Sequence, residues 1–263
     1  MDDQKVEQNE VSQAARVNIL GVGISAIDQE FALQQIDSWI ENDERQYVSV
    51  CTVHTIIECQ KDYSVRQAVN RAGMATPDGM PLVWLASMDG ERHVERVNGP
   101  DLMLAVCERS VEHGYKHYLY AGDEGVPELM DSELKSRITE QQVVGEYSPP
   151  FRSLTQEEEE QIIDMLNQAA PDIIWVGLGT PKQDLWMAKH RHRLNAPVIV
   201  AVGAAFDFHT NRIAQAPEWM QRSGLEWLFR LKQEPGRLWY RYLVYNPLFV
   251  IKIIEQKLGW RKY

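Results

Sequence analysis

DIIWVGLGTPKQDLW, residues 172–186, joins a short apolar run to a helix-like segment through a glycine-bearing loop. Pro181 suits the first position of a helix, and the free amides there can hold a phosphate. Similar apolar runs at 47–53 and 196–206 alternate with helical patterns along the chain. This alternation predicts an α/β fold, with a mostly parallel sheet and helices on both faces. Ligands of such folds bind at the carboxyl ends of the strands.

The charge of the chain is divided unevenly. The 263 residues carry a net charge of −11, yet residues 230–263 hold eight Lys or Arg against two Glu. An acidic chain of this kind is a poor nucleic-acid binder, because attraction to phosphates needs clustered basic residues. The basic C-terminal segment is therefore expected to serve a separate purpose.

Cysteine usage and the N-terminal composition predict a reducing cytosol. Three cysteines show no CxxC spacing, and residues 1–18 lack the basic and then apolar layout of a signal peptide. No apolar run has the roughly 18 to 20 residues that a membrane-spanning helix needs. We expect a flexible segment over 1–16, a catalytic α/β domain over 17–223 and an appendage over 224–263.

Three polar positions at predicted strand or turn ends are candidate site residues. Asp78 lies in a Pro-Asp-Gly turn, His54 follows a strand, and Asp207 stands between two phenylalanines where the chain leaves the sheet. The two acids are also explained by local structure, because acids in turns and loops often bond neighbouring backbone amides. His54 lies at the edge of the sheet where a ligand is expected. The stretch GVGISA, residues 21–26, also matches a relaxed dinucleotide-binding pattern, although a plain strand-to-helix turn explains it better.

The C-terminal segment combines basic and aromatic residues on amphipathic patterns. Seven of the 24 aromatic residues lie within 230–263. Such helices are typical of proteins that lie in the headgroup region of an anionic membrane. A helical arm that packs on the domain or on a second subunit remains the alternative, and oligomerisation is another way to cover the apolar surface.

Six ordered motifs resemble the WecG/TagA/CpsF family of bacterial glycosyltransferases, over about 17–250. They are TPDGMPLVWL, ERVNGPDLM, SPPFRSL, WVGLGTPKQDLWM, VGAAFDFHTNRIAQAPEWMQRSGLEWLFRL and EPGRLWYRYLVYNPLFV. The resemblance implies a Rossmann-like α/β body and an inverting, metal-independent transfer of a hexose. The donor would be a UDP-sugar and the acceptor an undecaprenyl-diphosphate-linked sugar of exopolysaccharide or wall-polymer synthesis. It also implies that the C-terminal appendage docks on the membrane.

The resemblance assigns roles to individual residues. Asp78 matches the general base, Arg96 the functional arginine, and Thr52 the threonine that ends the second strand. Many members have asparagine where this chain has His54, which is therefore the point of departure among the substrate contacts. The remaining expected substrate contacts are Gly179, Gln183, Phe206, Asp207, Arg230, Arg237 and Arg241.

The arginines have a specific expected task. The sequence has no acid pair of the type that holds Mg²⁺ or Mn²⁺ in many transferases, so we expect no cofactor and assign the leaving diphosphate to guanidinium groups. Arg237 and Arg241 are four residues apart and are predicted to share a helix face. Two alternatives remain, a non-catalytic UDP-sugar-binding scaffold and a nicotinamide-dependent oxidoreductase built on GVGISA.

Overall fold

The computed structural model describes residues 14–263, and most of the predicted flexible segment 1–16 lies outside them. The first described element is an antiparallel hairpin of β1, Arg16–Ile19, and β2, Val22–Ser25. Gly21 has φ +79° in its turn, which a glycine adopts without strain. Residues 22–25 are thus a strand and not the start of a helix. The favoured interpretation of GVGISA as a strand-to-helix turn is therefore wrong. The dinucleotide-binding alternative fails as well, because that site needs its glycine-bearing turn between a strand and a helix.

A six-stranded parallel sheet forms the centre of the molecule, in the order β4-β3-β8-β7-β5-β6. Its strands are β3 Gln46–Cys51, β4 Met74–Pro77, β5 Lys116–Ala121, β6 Gln142–Tyr147, β7 Ile173–Gly177 and β8 Val198–Ala201. The α/β prediction is confirmed. Strand β4 was not predicted, because it has four residues and runs straight into the Pro-Asp-Gly turn.

Helices cover both faces of this sheet. Those between residues 29 and 209 are α1 Gln29–Glu41, α2 Val53–Lys61, α3 Tyr63–Asn70, α4 Met80–Met88, α5 Gly99–His113, α6 Val126–Arg137, α7 Gln156–Ala169, α8 Lys182–His190 and α9 Ala205–His209. Successive residues of β7 show the two faces: Trp175 packs in the core with α1, α5 and α6, and Ile174 packs in the core with α7 and α8. A strand buried on both faces reads as a continuous apolar run, which is what residues 173–176 are.

The C-terminal region is helical, as predicted. The predicted appendage 224–263 contains α11 Glu226–Gln233, α12 Pro235–Leu243 and α13 Tyr245–Lys257, and α10 Glu218–Arg222 precedes it. Helix α13 packs on α2 and on the hairpin: Tyr245 and Phe249 are buried in a core with hairpin residues, and the Gln256 side chain accepts from the Leu20 amide at 3.0 Å. One face of α13 therefore packs on the α/β domain, as the helical-arm alternative expects. Other side chains of α12 and α13 stay exposed, Trp239 and Leu243 among them.

Candidate active site

A cleft of about 890 Å³ lies along the carboxyl edge of the sheet. Each of the six parallel strands contributes to its lining at or just after its last residue, through Thr52, Asp78, Gly122, Pro149, Gly179 and Gly203. The residues predicted to act at the site all line this one cleft. They are Thr52, His54, Asp78, Arg96, Gly179, Gln183, Phe206, Asp207, Arg230, Arg237 and Arg241.

Asp78 is held at the end of β4 by backbone and side-chain contacts. Its amide donates to the Cys51 carbonyl at 2.9 Å, which continues the pairing of β4 with β3 for one more residue. Helix α4 begins at Met80, so the Asp-Gly pair makes the turn from strand to helix. The Asp78 side chain is 19% exposed. The carboxylate is thereby fixed at the cleft with limited access to water.

Arg96 connects Asp78 to the C-terminal helices. Its Nε donates to the Asp78 carbonyl oxygen at 2.6 Å and its Nη2 to Asp78 Oδ1 at 3.1 Å. The same guanidinium donates to Gln221 Oε1 at 2.9 Å and to Glu226 Oε2 at 2.6 Å. The Arg96 guanidinium therefore lies between two carboxylates, that of Asp78 at the end of β4 and that of Glu226 on α11.

Glu226 and Gln221 were not among the predicted site residues. Burial raises the pKa of Glu226 above its usual value, Arg96 opposes this rise, and the Asp78 carboxylate adds to it. The sequence offered one signal, the position of both residues within the family-like motif that ends in GLEWLFRL. No spacing rule indicates that residues 130 positions apart meet at one guanidinium.

Thr52 and His54 open helix α2 at the cleft. Thr52 is the N-cap of α2, and its hydroxyl also accepts from Arg241 Nη2 at 3.4 Å. The His54 ring stacks on Tyr245, with ring centroids 5.6 Å apart, and its Nε2 lies 3.5 Å from Glu58 Oε1. Burial, helped by the charges of Arg241 and Lys61, lowers the pKa of His54 to about 3. His54 is therefore a neutral imidazole at pH 7.

Three arginines of the C-terminal region face the cleft from α11 and α12. Arg237 and Arg241 both lie on α12, as predicted, and Arg230 lies on α11 with its guanidinium 5.2 Å from the Phe208 ring centre. Arg237 pairs with Glu234. Among residues 14–263, Nε of Arg230 and Nε of Arg241 have no hydrogen-bond partner. These two buried donors are available to an anion in the cleft.

The loops after β7 and β8 form the opposite part of the cleft. Gln183 is buried and its Oε1 accepts from the Gly179 amide at 3.1 Å, so the loop and the start of α8 are tied together. Phe206 and Asp207 lie on α9. Burial raises the pKa of Asp207, and Arg212, whose Nη1 is 3.5 Å from Asp207 Oδ1, counteracts that rise.

A parallel α/β sheet with an acid, a shared arginine and further cations at its carboxyl edge defines an enzyme-like cleft for an anionic ligand. The sequence model of the glycosyl transferase WecG/TagA/CpsF family matches residues 17–263, and the chain belongs to this family. The protein is a glycosyltransferase by family, and the predicted resemblance is confirmed.

Two curated relatives are similar to most of the chain. One, from Bacillus spizizenii, is named N-acetylglucosaminyldiphosphoundecaprenol N-acetyl-beta-D-mannosaminyltransferase and is 22% identical over 220 residues, which cover 84% of this chain and 83% of the relative. A relative of the same name from Bacillus subtilis is 24% identical over 230 residues, which cover 84% of this chain and 87% of the relative.

Proposed function

We propose that this glycosyltransferase moves a hexose from a UDP-sugar to a sugar linked to undecaprenyl diphosphate, with inversion at the anomeric carbon. The observation that carries the proposal is the pairing of Asp78 with Arg96 in a cleft that also contains Arg230, Arg237 and Arg241. The names of the two Bacillus relatives support an acceptor of this kind, since both act on N-acetylglucosaminyldiphosphoundecaprenol.

Asp78 is the proposed general base. Inverting transfer needs one positioned carboxylate that removes the proton of the acceptor hydroxyl while its oxygen attacks the anomeric carbon from the face opposite the leaving group. The new glycosidic bond forms as the bond to the UDP oxygen breaks, and the bonding electrons leave with UDP. Within the described part of the chain, hydrogen bonds to the Asp78 carboxylate reach Oδ1 alone, so Oδ2 is available for the proton.

The C-terminal arginines are the proposed partners of the leaving diphosphate. Guanidinium groups suit phosphate oxygens because they donate two parallel hydrogen bonds and stay charged. Arg230 and Arg241 bring buried donors without partners among residues 14–263, and Arg237 adds charge at the rim. Positive charge placed where negative charge develops lowers the barrier most in a site with little water.

The remaining predicted residues are proposed to position the two substrates. Gly179 and Gln183 belong to a loop at a helix N-terminus, which favours a phosphate or sugar oxygen. Asp207 and Phe206 stand beside it and suit polar and stacking contacts with the donor. Neutral His54 can donate one hydrogen bond and accept another, which fits sugar hydroxyls.

The C-terminal region is the proposed membrane contact, and the enzyme is proposed to act peripherally on the inner face of the cell membrane. Residues 230–263 carry the basic excess, and Trp239, Tyr240 and Trp260 expose aromatic rings. Aromatic and basic side chains of this kind bind the headgroup region. Within residues 14–263, each helix is too short or too polar to cross a bilayer.

UDP release tests the proposal. The assay uses UDP-glucose, UDP-N-acetylglucosamine, UDP-N-acetylmannosamine and its uronic acid, each with a polyprenyl-diphosphate-linked sugar in liposomes and with EDTA present. We expect UDP release with one donor, dependent on the acceptor and insensitive to EDTA. UDP binding without release from any donor would contradict the proposal and favour the non-catalytic scaffold.

A further inference from the structure

A second cavity of about 520 Å³ adjoins the active-site cleft. It is a groove between α4 and α13, which we call the α4–α13 groove. Met80, Trp84 and Met88 line it from α4, and Val250, Ile253 and Ile254 line it from α13.

The groove is continuous with the cleft and changes its polarity along its length. Asp78, Arg96, Glu226, Arg230 and Arg241 line both cavities. Apart from these five residues and His54, the described residues that line the groove are apolar or carry uncharged polar side chains. One end of the groove is thus the charged site itself, and the other end is apolar.

The apolar end opens to the outside. Trp84 is 48% exposed and Ile254 49% exposed, and Met88 and Val250 are also exposed. Contiguous apolar surface of this kind is costly in water and marks a binding site. A ligand that matches the polarity of the groove along its whole length has an anionic head group at the cleft and an apolar tail that leaves between α4 and α13.

We propose that the α4–α13 groove binds the isoprene units nearest the diphosphate of the acceptor. The inference rests on the proposed function, in which the acceptor is a polyprenyl-diphosphate-linked sugar. Such an acceptor has the required order of groups, since its reactive sugar would lie at Asp78, its phosphates beside Arg230 and Arg241, and its chain along α4 and α13. A groove of this volume holds only the first part of an undecaprenyl chain, and the rest continues into the lipid phase.

The groove thereby contributes to acceptor binding before any bilayer is involved. Burial of two methylene groups is enough for about a tenfold change in affinity. The enzyme is accordingly expected to distinguish acceptors by the apolar chain next to the diphosphate, even when both acceptors are dissolved as monomers.

The test compares two acceptors, N-acetylglucosaminyl diphosphates that carry a butyl or a farnesyl chain, without membranes and below the concentration at which they form micelles. For the wild type, we expect kcat/KM to be at least about tenfold higher with farnesyl. Val250→Asp and Ile254→Asp place a short carboxylate in the groove and should remove this advantage, with the donor KM and the butyl-acceptor KM unchanged. Ile251→Asp is the matched control, because Ile251 is exposed on the same helix and does not line the groove.

Several outcomes would overturn the inference. The first is an equal kcat/KM for both acceptors in the wild type. The second is a loss of the farnesyl advantage in Ile251→Asp as large as in the groove variants. The third is a farnesyl advantage that persists in Val250→Asp and Ile254→Asp. Self-association that Ile254→Asp abolishes and farnesyl diphosphate does not displace would assign the groove to a second copy of the chain. Thermal unfolding of each variant shows whether it is folded.

A direct measurement separates this inference from the proposed function. If no acceptor is glycosylated by the wild type, the proposed function fails, and a farnesyl diphosphate probe with a benzophenone on its chain still examines the groove. Labelled peptides from α4 and α13 would support the groove as an isoprenoid site. Label confined to other peptides would contradict it.

Discussion

Arg96 is the structural link between the body and the C-terminal region at the site, so Arg96→Ala should strongly destabilise the fold. The guanidinium is 17% exposed and lies between Asp78, 19% exposed, and Glu226, 22% exposed. Its removal leaves two half-buried carboxylates without a cation. Breaking a buried ion pair costs about 3–5 kcal/mol. Because these groups retain some solvent, we expect the lower end, about 3 kcal/mol.

The contribution of Glu226 can be separated by a double-mutant cycle. Glu226→Gln alone keeps a hydrogen-bond acceptor for Arg96 and should cost about 1 kcal/mol. Arg96→Ala alone leaves the Asp78 and Glu226 carboxylates without a cation, whereas in the double variant Glu226→Gln has removed the second of these charges. The double variant should therefore lose about 1.5 kcal/mol less than the sum of the two single losses.

Urea unfolding at pH 7, followed by circular dichroism, measures these free energies. Arg222→Ala is the control, since Arg222 is 78% exposed and its partner Glu218 76% exposed, and surface pairs of this kind contribute about 0–1 kcal/mol. A loss below about 1 kcal/mol for Arg96→Ala, or strict additivity with Glu226→Gln, would refute the argument that Arg96 balances both carboxylates.

Two further predictions concern stability. Burial lowers the pKa of His117 to about 3 and that of His190 to about 4, so the unfolded chain takes up these protons below about pH 6.5 and the folded chain does not. The free energy of unfolding should then fall as pH drops from 6.5 towards 4, by at most about 1.4 kcal/mol per pH unit for each histidine. His117→Gln should reduce the difference in the free energy of unfolding between pH 7 and pH 5, measured by urea titration. An unchanged difference would contradict the lowered pKa of His117. Gly177→Ala would place a Cβ 2.7 Å from the Phe206 ring, and this clash should cost about 1–3 kcal/mol of stability in thermal unfolding. Gly236→Ala is the control, because its Cβ meets nothing within 4 Å and the change should be neutral or slightly stabilising. Equal effects of the two substitutions would contradict the close packing at Gly177.

The α/β architecture was predictable because each buried strand is an apolar run between helical patterns. The two errors have a physical cause. Residues 22–25 and 74–77 form strands of only four residues beside glycine-bearing turns, and such short segments carry too little periodicity to separate a strand from a turn. The hairpin therefore appeared as a strand-to-helix junction, and β4 appeared as part of a turn.

The site was predictable to the extent that strand ends converge. Asp78, Thr52 and Gly179 follow different strands, and a parallel sheet brings their carboxyl ends to one edge. The contacts made by the C-terminal helices were not predictable in this way. Glu226 reaches Arg96, and Tyr245 stacks on His54, only because α11 and α13 fold back onto the body, which no local pattern specifies.

The rate of transfer by Asp78→Asn tests most directly whether Asp78 is the general base. Acceptor-dependent UDP release is measured with the donor that the wild type uses, alongside the affinity for UDP and the binding to liposomes. Glu226→Gln is the matched comparison, because it also neutralises a carboxylate bound to Arg96. We expect Asp78→Asn to lower kcat at least about 100-fold with UDP and membrane binding intact, and Glu226→Gln to lose much less. Full transfer by Asp78→Asn, with binding intact, would contradict the role of Asp78 as the base.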